Sequence, residues 1–289
     1  MNKELIKIES YRVQALIWNV ASSVLGVCVI LMGVFSGTPL LMFIGVGVLI
    51  GGIMLGSSKT ATYRHEFKDY FIRSAFERNF ESRVKINWEG MDLGEIEEAF
   101  VIPYGNSNRS DDEVVFDYKG IHVRRTDVST ERVVSNGKTT TRVQLFKGQY
   151  MVFSFPKPIM AFTVVRENKW FDSKPGGLFS GCPSTEKVEL ESVEFNKEFV
   201  VFSSDPHEAF YLLTPPFMEI LLDFQRTYGV EVFFGFMRNE FHVAINSEEN
   251  LFEPSILVPV KSISMNTHDT DILKIKRVID QLNLIEEGE

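Results

Sequence analysis

The chain has 289 residues, of which 44% are hydrophobic and 24% charged, and it carries a net charge of −9 at pH 7. That acidity argues against a nucleic-acid partner, because phosphate backbones are held by a surplus of Lys and Arg. The two cysteines, Cys28 and Cys182, exclude a disulfide framework and a cysteine-built zinc site.

Residues 1–14 read as a short cytosolic tail, with Lys3, Lys7 and Arg12 set against Glu4 and Glu9. Residues 13–58 then contain no Asp, Glu, Lys or Arg. A bilayer core of about 30 Å needs about 20 apolar residues per helix, so this stretch has room for two spans. The turn formers Ser36, Gly37, Thr38 and Pro39 divide it. An antiparallel transmembrane helical hairpin over residues 15–56 follows, because helices satisfy their own backbone in lipid. The first span is full length and a second follows at once, which reads as an uncleaved anchor rather than a signal peptide.

Small residues recur at four-residue spacing in both spans: Ser22 with Gly26, Gly47 with Gly51, and Gly52 with Gly56. This spacing lets helix backbones approach closely. It serves packing within the hairpin or between molecules, and the sequence leaves both open. No ionisable residue lies in either span, which argues against a proton relay there. Basic residues Lys59, Arg64, Lys68, Arg73 and Arg78 follow the second span, and the turn between spans is uncharged. The positive-inside rule therefore places both termini and the main domain in the cytoplasm.

Residues 57–88 read as a juxtamembrane amphipathic helix. Tyr63, Phe67, Phe71 and Ala75, with Ile72, Phe76, Phe80 and Val84, form a wide apolar face. Three roles are open: packing on its own domain, lying on a lipid surface, or meeting a partner. Phe67, Phe71, Arg64 and Lys68 are the candidate contacts. Acidic residues Glu66, Asp69, Glu77 and Glu81 dilute the basic charge that anionic lipid would need.

A cytosolic domain over residues 95–289 comes next, after a break at 87–94. Strands are expected at 114–118 and 121–125 around Lys119-Gly120, and at 131–135 and 139–146 around Asn136-Gly137. Further strands are expected at 149–155, 161–166, 188–195 and 198–203. Residues 170–184, rich in Gly and Pro, read as a loop; Trp170, Phe179 and Cys182 make it a possible binding loop. Asp205 and Pro206 start a short helix at 207–213, and Pro215 and Pro216 start another that Gly229 ends. A hairpin at 230–236 and 240–245 and a final helix at 269–284 complete an α+β domain with a mainly antiparallel sheet.

Chemistry-bearing patterns are sparse. His207-Glu208 is not a zinc-binding HExxH pair, because Tyr211 stands where the second His belongs. The five histidines have no paired spacing. There is no phosphate-binding GxxxxGK[ST] loop and no GxSxG nucleophile turn. No catalytic residue, cofactor or metal is expected. A hydrolase would need His122, His207 or His242 to meet a carboxylate or Cys182 in a cleft.

Several runs occur in fixed order: Phe146-Lys147-Gly148-Gln149; Val188-Glu189-Leu190-Glu191-Ser192-Val193-Glu194-Phe195-Asn196-Lys197-Glu198-Phe199; Asp205-Pro206-His207-Glu208-Ala209; and Leu213-Thr214-Pro215-Pro216-Phe217-Met218-Glu219. In these the chain resembles a bacterial family of unknown function with two N-terminal membrane spans and a cytosolic domain. Genes of that family often stand beside those for LemA-type membrane proteins. The resemblance implies a bacterial inner-membrane protein and a LemA-type partner, and it implies no enzymatic activity. Gly148 is expected in a turn, Phe195 and Phe199 in the core. The expected function is a non-enzymatic scaffold or assembly subunit, a homo-oligomer or a partner of a LemA-type protein. The alternatives are a membrane-tethered sensor of ligand or lipid and a cryptic hydrolase.

Overall fold

The computed structural model describes residues 3–154, 158–168, 183–248, 253–263, 272–273 and 275–280. The chain divides into two compact units, Met1–Phe76 with Phe252–Thr270, and Glu77–Leu251 with Asp271–Glu289.

Two helices dominate the first unit. Helix α1 runs Lys3–Ser36 and helix α2 runs Pro39–Phe80. Both are long and apolar enough to cross a membrane. Gly37, at φ 65°, ends α1 in the left-handed conformation that glycine adopts freely. Pro39 opens α2, where its missing amide leaves no bond unmade. Between the helices the seam is built from small residues. A Cβ added to Gly52 would collide with Ser22, one added to Gly26 with Leu49, and one added to Gly56 with the Asn19 side chain. Large apolar side chains point outward instead, among them Val24, Leu25, Leu31, Phe43, Ile50 and Met54.

One feature of this unit differs from the sequence reading. Residues 3–14 are not a separate tail but the first turns of α1, with Ile8 and Arg12 buried. Arg12 Nη1 donates to Ile256 O at 2.8 Å, and Glu9 Oε2 accepts from Val260 N at 3.0 Å. These contacts come from a segment some 250 residues downstream, so no local pattern announces them. The juxtamembrane helix continues directly from the second span, as the lack of a breaker after Gly56 allows.

In the second unit, nine strands among the described residues form one sheet in the order β1-β2-β3-β4-β9-β8-β5-β7-β6. They are β1 Lys85–Asn87, β2 Ser107–Tyr118, β3 Ile121–Ser135, β4 Thr140–Ser154, β5 Thr163–Glu167, β6 Glu186–Val188, β7 Phe199–Ser203, β8 Val232–Met237 and β9 Glu240–Ile245. Every pairing is antiparallel. With helices α3 Leu93–Glu98, α4 Val193–Glu198, α5 Pro206–Leu212 and α6 Pro215–Tyr228, the unit is α+β, as the sequence indicates.

Alternation along each strand gives the sheet two apolar faces. One carries Val128, Phe146, Tyr150, Val152, Val164 and Phe202 and is covered by Met91, Ile96, Ala99 and Val101 around α3. The other is aromatic: Phe217 and Phe224 of α6 pack edge-on against Phe236, Phe241 and Phe234 at 5.5–5.7 Å between centroids.

The structure corrects three local readings. Residues 193–198 form helix α4 rather than the end of a strand, because Ser192 caps them by accepting from Phe195 N at 3.2 Å. That cap outweighs the period-two pattern of the run before it. Gly148 lies inside strand β4, not in a turn; a Cβ there would collide with Ile245 O of the neighbouring strand β9. The loop between β3 and β4 has four residues, 136–139, rather than a two-residue turn. Asn136 shapes it through its side chain, whose Oδ1 accepts from Lys138 N and Thr139 N at 3.1 and 2.8 Å. Strand β1 and helix α3 were not anticipated; α3 is six residues long, too short for a helical period to register.

Candidate functional site

Helix α1, helix α2 and the sheet each present residues that could act on something outside the chain. In the hairpin, the expected packing residues separate into two sets. Ser22, Gly26, Gly52 and Gly56 lie in the intramolecular seam, where Gly45 joins them against Gly26 and Ile30. Gly47 and Gly51 face outward, with no atom within 4 Å of where a Cβ would stand.

Of the expected partner or lipid contacts, Phe67 and Phe71 lie inside the protein. They are 2% and 3% exposed, and their rings stack at 4.2 Å. Lys68 pairs with Glu253 at 2.7 Å, while Arg64 is exposed. Trp170, Phe179 and Cys182 lie outside the described residues.

The histidines separate in the same way. His122 Nδ1 meets Asp117 Oδ1 at 2.7 Å, but on an exposed hairpin end. His207 is exposed at the start of α5, where Asp205 accepts from its backbone N at 2.9 Å. Glu208 next to it is structural: its carboxylate accepts from Met160 N at 2.7 Å and Ala161 N at 2.5 Å.

His242 is different, and local sequence explains its place. Arg238 and Asn239 both take positive φ, 51° and 60°, giving the tight turn that joins β8 to β9. Glu240 and His242, two residues apart on β9, then share one face of the sheet. The register sets Val152 opposite His242 and Tyr150 opposite Ala244, so Tyr150 and His242 are diagonal neighbours on that face. Tyr150 Oη lies 2.9 Å from His242 Nδ1, and both residues are buried.

From the other side, Asp92 caps α3 by accepting from Glu95 N at 3.0 Å, which fixes the direction of Glu95. Arg124 of β3 holds the Glu95 carboxylate with two bonds of 2.5 and 2.9 Å and reaches Glu113 at 2.8 Å. Glu95, Ala99, Met237, Arg238, Glu240 and His242 enclose a cleft of about 270 Å³.

The electrostatics of this cleft follow from burial. Desolvation pushes the Tyr150 phenol well above its ordinary range, so it stays protonated. The phenol can donate to His242 Nδ1, and in that tautomer the imidazole hydrogen stands on Nε2. Nε2 stands 3.5 Å from Glu240 Oε2 and has no hydrogen-bond partner in the protein. The His242 imidazole, and after it the charges of Arg124 and Arg238, hold the Glu240 carboxyl below the usual range against its own desolvation. Arg124 is matched by Glu95 and Glu113, and Arg238 meets Glu98 at 3.1 Å. Glu240 is the carboxylate of this set whose closest ionic contact is an imidazole.

Ser, Thr and Cys are absent from the cleft lining, so the arrangement offers charges and a donor but no acyl-accepting nucleophile. Among the described residues no group of three or more His, Cys, Asp or Glu is placed to hold a metal ion. A second cavity, of about 350 Å³, lies along β2, β3 and β4. Of its charges, Arg109 meets Asp111 at 2.5 Å and Arg142 meets Glu131 at 3.1 Å.

Sequence reasoning named His242 only as one of three histidines that a hydrolase would need, and it did not single out Tyr150, Glu240, Glu95 or Arg124. The Glu240–His242 alternation was a usable signal for a shared face. Tyr150 lies 92 residues from His242, and only strand pairing joins them.

Residues 144–284 match the model of a family described as a protein of unknown function, DUF3137. The matched region contains Tyr150, Glu240 and His242, and the two apolar helices lie outside it. No curated protein and no solved structure matches the chain.

Proposed function

We propose that this is a non-enzymatic, membrane-anchored assembly subunit. Its α+β domain is tethered by the α1–α2 hairpin, and the hairpin associates with a second copy or with a LemA-type membrane protein. The basic residues Lys59, Arg64 and Lys68 after the second span support a cytoplasmic domain on the bacterial inner membrane.

The observation that carries the reading is the outward pair Gly47 and Gly51. A glycine inside a helix costs about 0.5–1 kcal/mol relative to alanine. The seam glycines offset that by letting α1 and α2 touch; Gly47 and Gly51 touch nothing within the chain. In lipid, helices associate by close backbone packing rather than by hydrophobic exclusion. A flat strip one turn long is suited to another helix, and lipid tails gain little from it.

The test is native mass spectrometry of the full chain extracted from membranes in mild detergent. The expected species are a homo-oligomer or a complex with a LemA-type protein. Gly47→Leu with Gly51→Leu should reduce both to monomer while the protein stays in the membrane fraction. Monomer alone from the unaltered chain, with nothing co-purifying, would overturn the assembly role. Recovery of the chain in the soluble fraction would overturn the anchor.

A further inference from the structure

The His242 cleft is unrelated to the glycine strip and has a chemistry of its own. His242 is 2% exposed, and its Nε2–H points to no acceptor at hydrogen-bonding geometry. Glu240 and Glu95 bring two carboxylates to the same opening and Arg238 brings a guanidinium. The opening is therefore bipolar: an anionic side at Glu240, and a donor side at Arg238 and His242.

A ligand with one charge meets only half of this. A simple cation would satisfy Glu240 but leave the buried donor without an acceptor. A simple anion would satisfy the donors but face two carboxylates. A metal ion lacks its third ligand. The volume, about 270 Å³, falls just below the range of roughly 300–1,000 Å³ typical of pockets for drug-sized ligands, so the ligand is small. We propose that the cleft bounded by Glu95, Arg238, Glu240 and His242 binds a small zwitterion of the amino-acid type. Its ammonium sits on Glu240, and its carboxylate lies between the Arg238 guanidinium and His242 Nε2–H.

Each part has a structural reason. Tyr150 fixes the His242 tautomer that makes Nε2 a donor. Arg124 occupies the Glu95 carboxylate from behind, which leaves Glu240 as the first anion a ligand ammonium meets. Ala99 and Met237 supply a short apolar wall for a small side chain. Charge-assisted bonds at both ends define direction as well as affinity.

The experiment uses the full chain in detergent micelles. Glycine, L-alanine, L-serine and L-glutamate are the probes, with ethylamine and propionate as analogues lacking one charge. Binding is read by calorimetry and by the His242 imidazole resonances. At least one amino acid should bind saturably and shift those resonances, with both analogues at least tenfold weaker. Glu240→Gln should weaken the bound amino acid at least tenfold, and His242→Gln about fivefold. Should His242→Gln fail to fold, Glu240→Gln decides the matter, since that side chain is 34% exposed and its loss leaves no buried charge. No response to any of the four probes would overturn the proposal. So would equal affinity for ethylamine or propionate, or undiminished binding by Glu240→Gln.

Discussion

Tyr150 Oη stands 2.9 Å from His242 Nδ1, with both side chains buried in one face of the sheet. With the phenol as donor in this contact, the imidazole hydrogen stands on Nε2, on the side of the cleft. Tyr150→Phe should leave Nδ1 buried without a donor. Such a loss costs about 1–3 kcal/mol, equivalent to a fall in melting temperature of about 2–4 °C for each kcal/mol in a unit of this size. Thermal unfolding by circular dichroism measures it. Nitrogen chemical shifts of His242 should also move from the Nε2–H tautomer to a mixture, which a purely packing role for Tyr150 would not produce.

Acid and alkali should each weaken this cleft, through different groups. Glu240 is held below its ordinary carboxyl range in the folded state. The unfolded chain then takes up that proton first, so the stabilisation is present above the ordinary value of 4.5 and is lost as pH falls below it. Tyr150 is held above its ordinary value of 10.0. Its contribution is complete below 10 and is lost as pH rises beyond that. Denaturation across pH should show both declines, and Glu240→Gln and Tyr150→Phe should each flatten one limb. Unchanged limbs in these variants would locate the titration elsewhere.

The hairpin glycines should separate by substitution. Gly52→Val drives a side chain into Ser22, and Gly26→Val drives one into Leu49. Overpacking of this kind costs about 1–3 kcal/mol, and either change should splay α1 from α2. Gly51→Val meets open space and should leave the hairpin closed. Disulfide trapping between cysteines introduced at Asn19 and Gly56, which face each other across the same seam, reports closure in membranes, in a chain where Cys28 is replaced by serine. Equal trapping in all three backgrounds would refute the assignment of these faces.

Gly148 lies where β4 passes closest to the end of β9. A methyl group there meets Ile245 O and Ser247 N, which cannot yield without breaking the strand pairing. Gly148→Ala should lower stability by about 1–3 kcal/mol. Gly120→Ala, in the turn between β2 and β3 and facing open space, should cost chiefly the strain of its positive φ. Urea denaturation of the pair distinguishes steric contact from backbone conformation.

Glu208 ties the start of α5 to the segment before β5. Its two oxygens accept the backbone N–H groups of Met160 and Ala161. Glu208→Ala should cost about 1.5–3 kcal/mol, the range for hydrogen bonds to a charged group. Glu208→Gln keeps one acceptor and should recover about half. Hydrogen exchange at Met160 and Ala161 provides the readout, with faster exchange expected in the alanine variant.

The signals the sequence carried were short-range ones. A run of 46 residues without Asp, Glu, Lys or Arg, 13–58, has the length and apolar composition of two membrane-crossing helices, which satisfy their own backbone. Asp205 before Pro206, Gly229 after Tyr228, and Lys119-Gly120 between strands act within a few residues, so caps and turns were readable. Period-two alternation gave the antiparallel class of the sheet. The same locality explains the misreadings: Ser192 turned an alternating run into a helix, and Gly148 owes its identity to Ile245, almost 100 residues away. Only tertiary structure decided which glycines close the hairpin and which stay bare, since that depends on rotation of α2 about its axis against α1. Only strand register brought Tyr150 to His242 and α3 over Glu240. Contacts between distant residues are selected by the packing of the whole sheet, and no spacing within either segment encodes them.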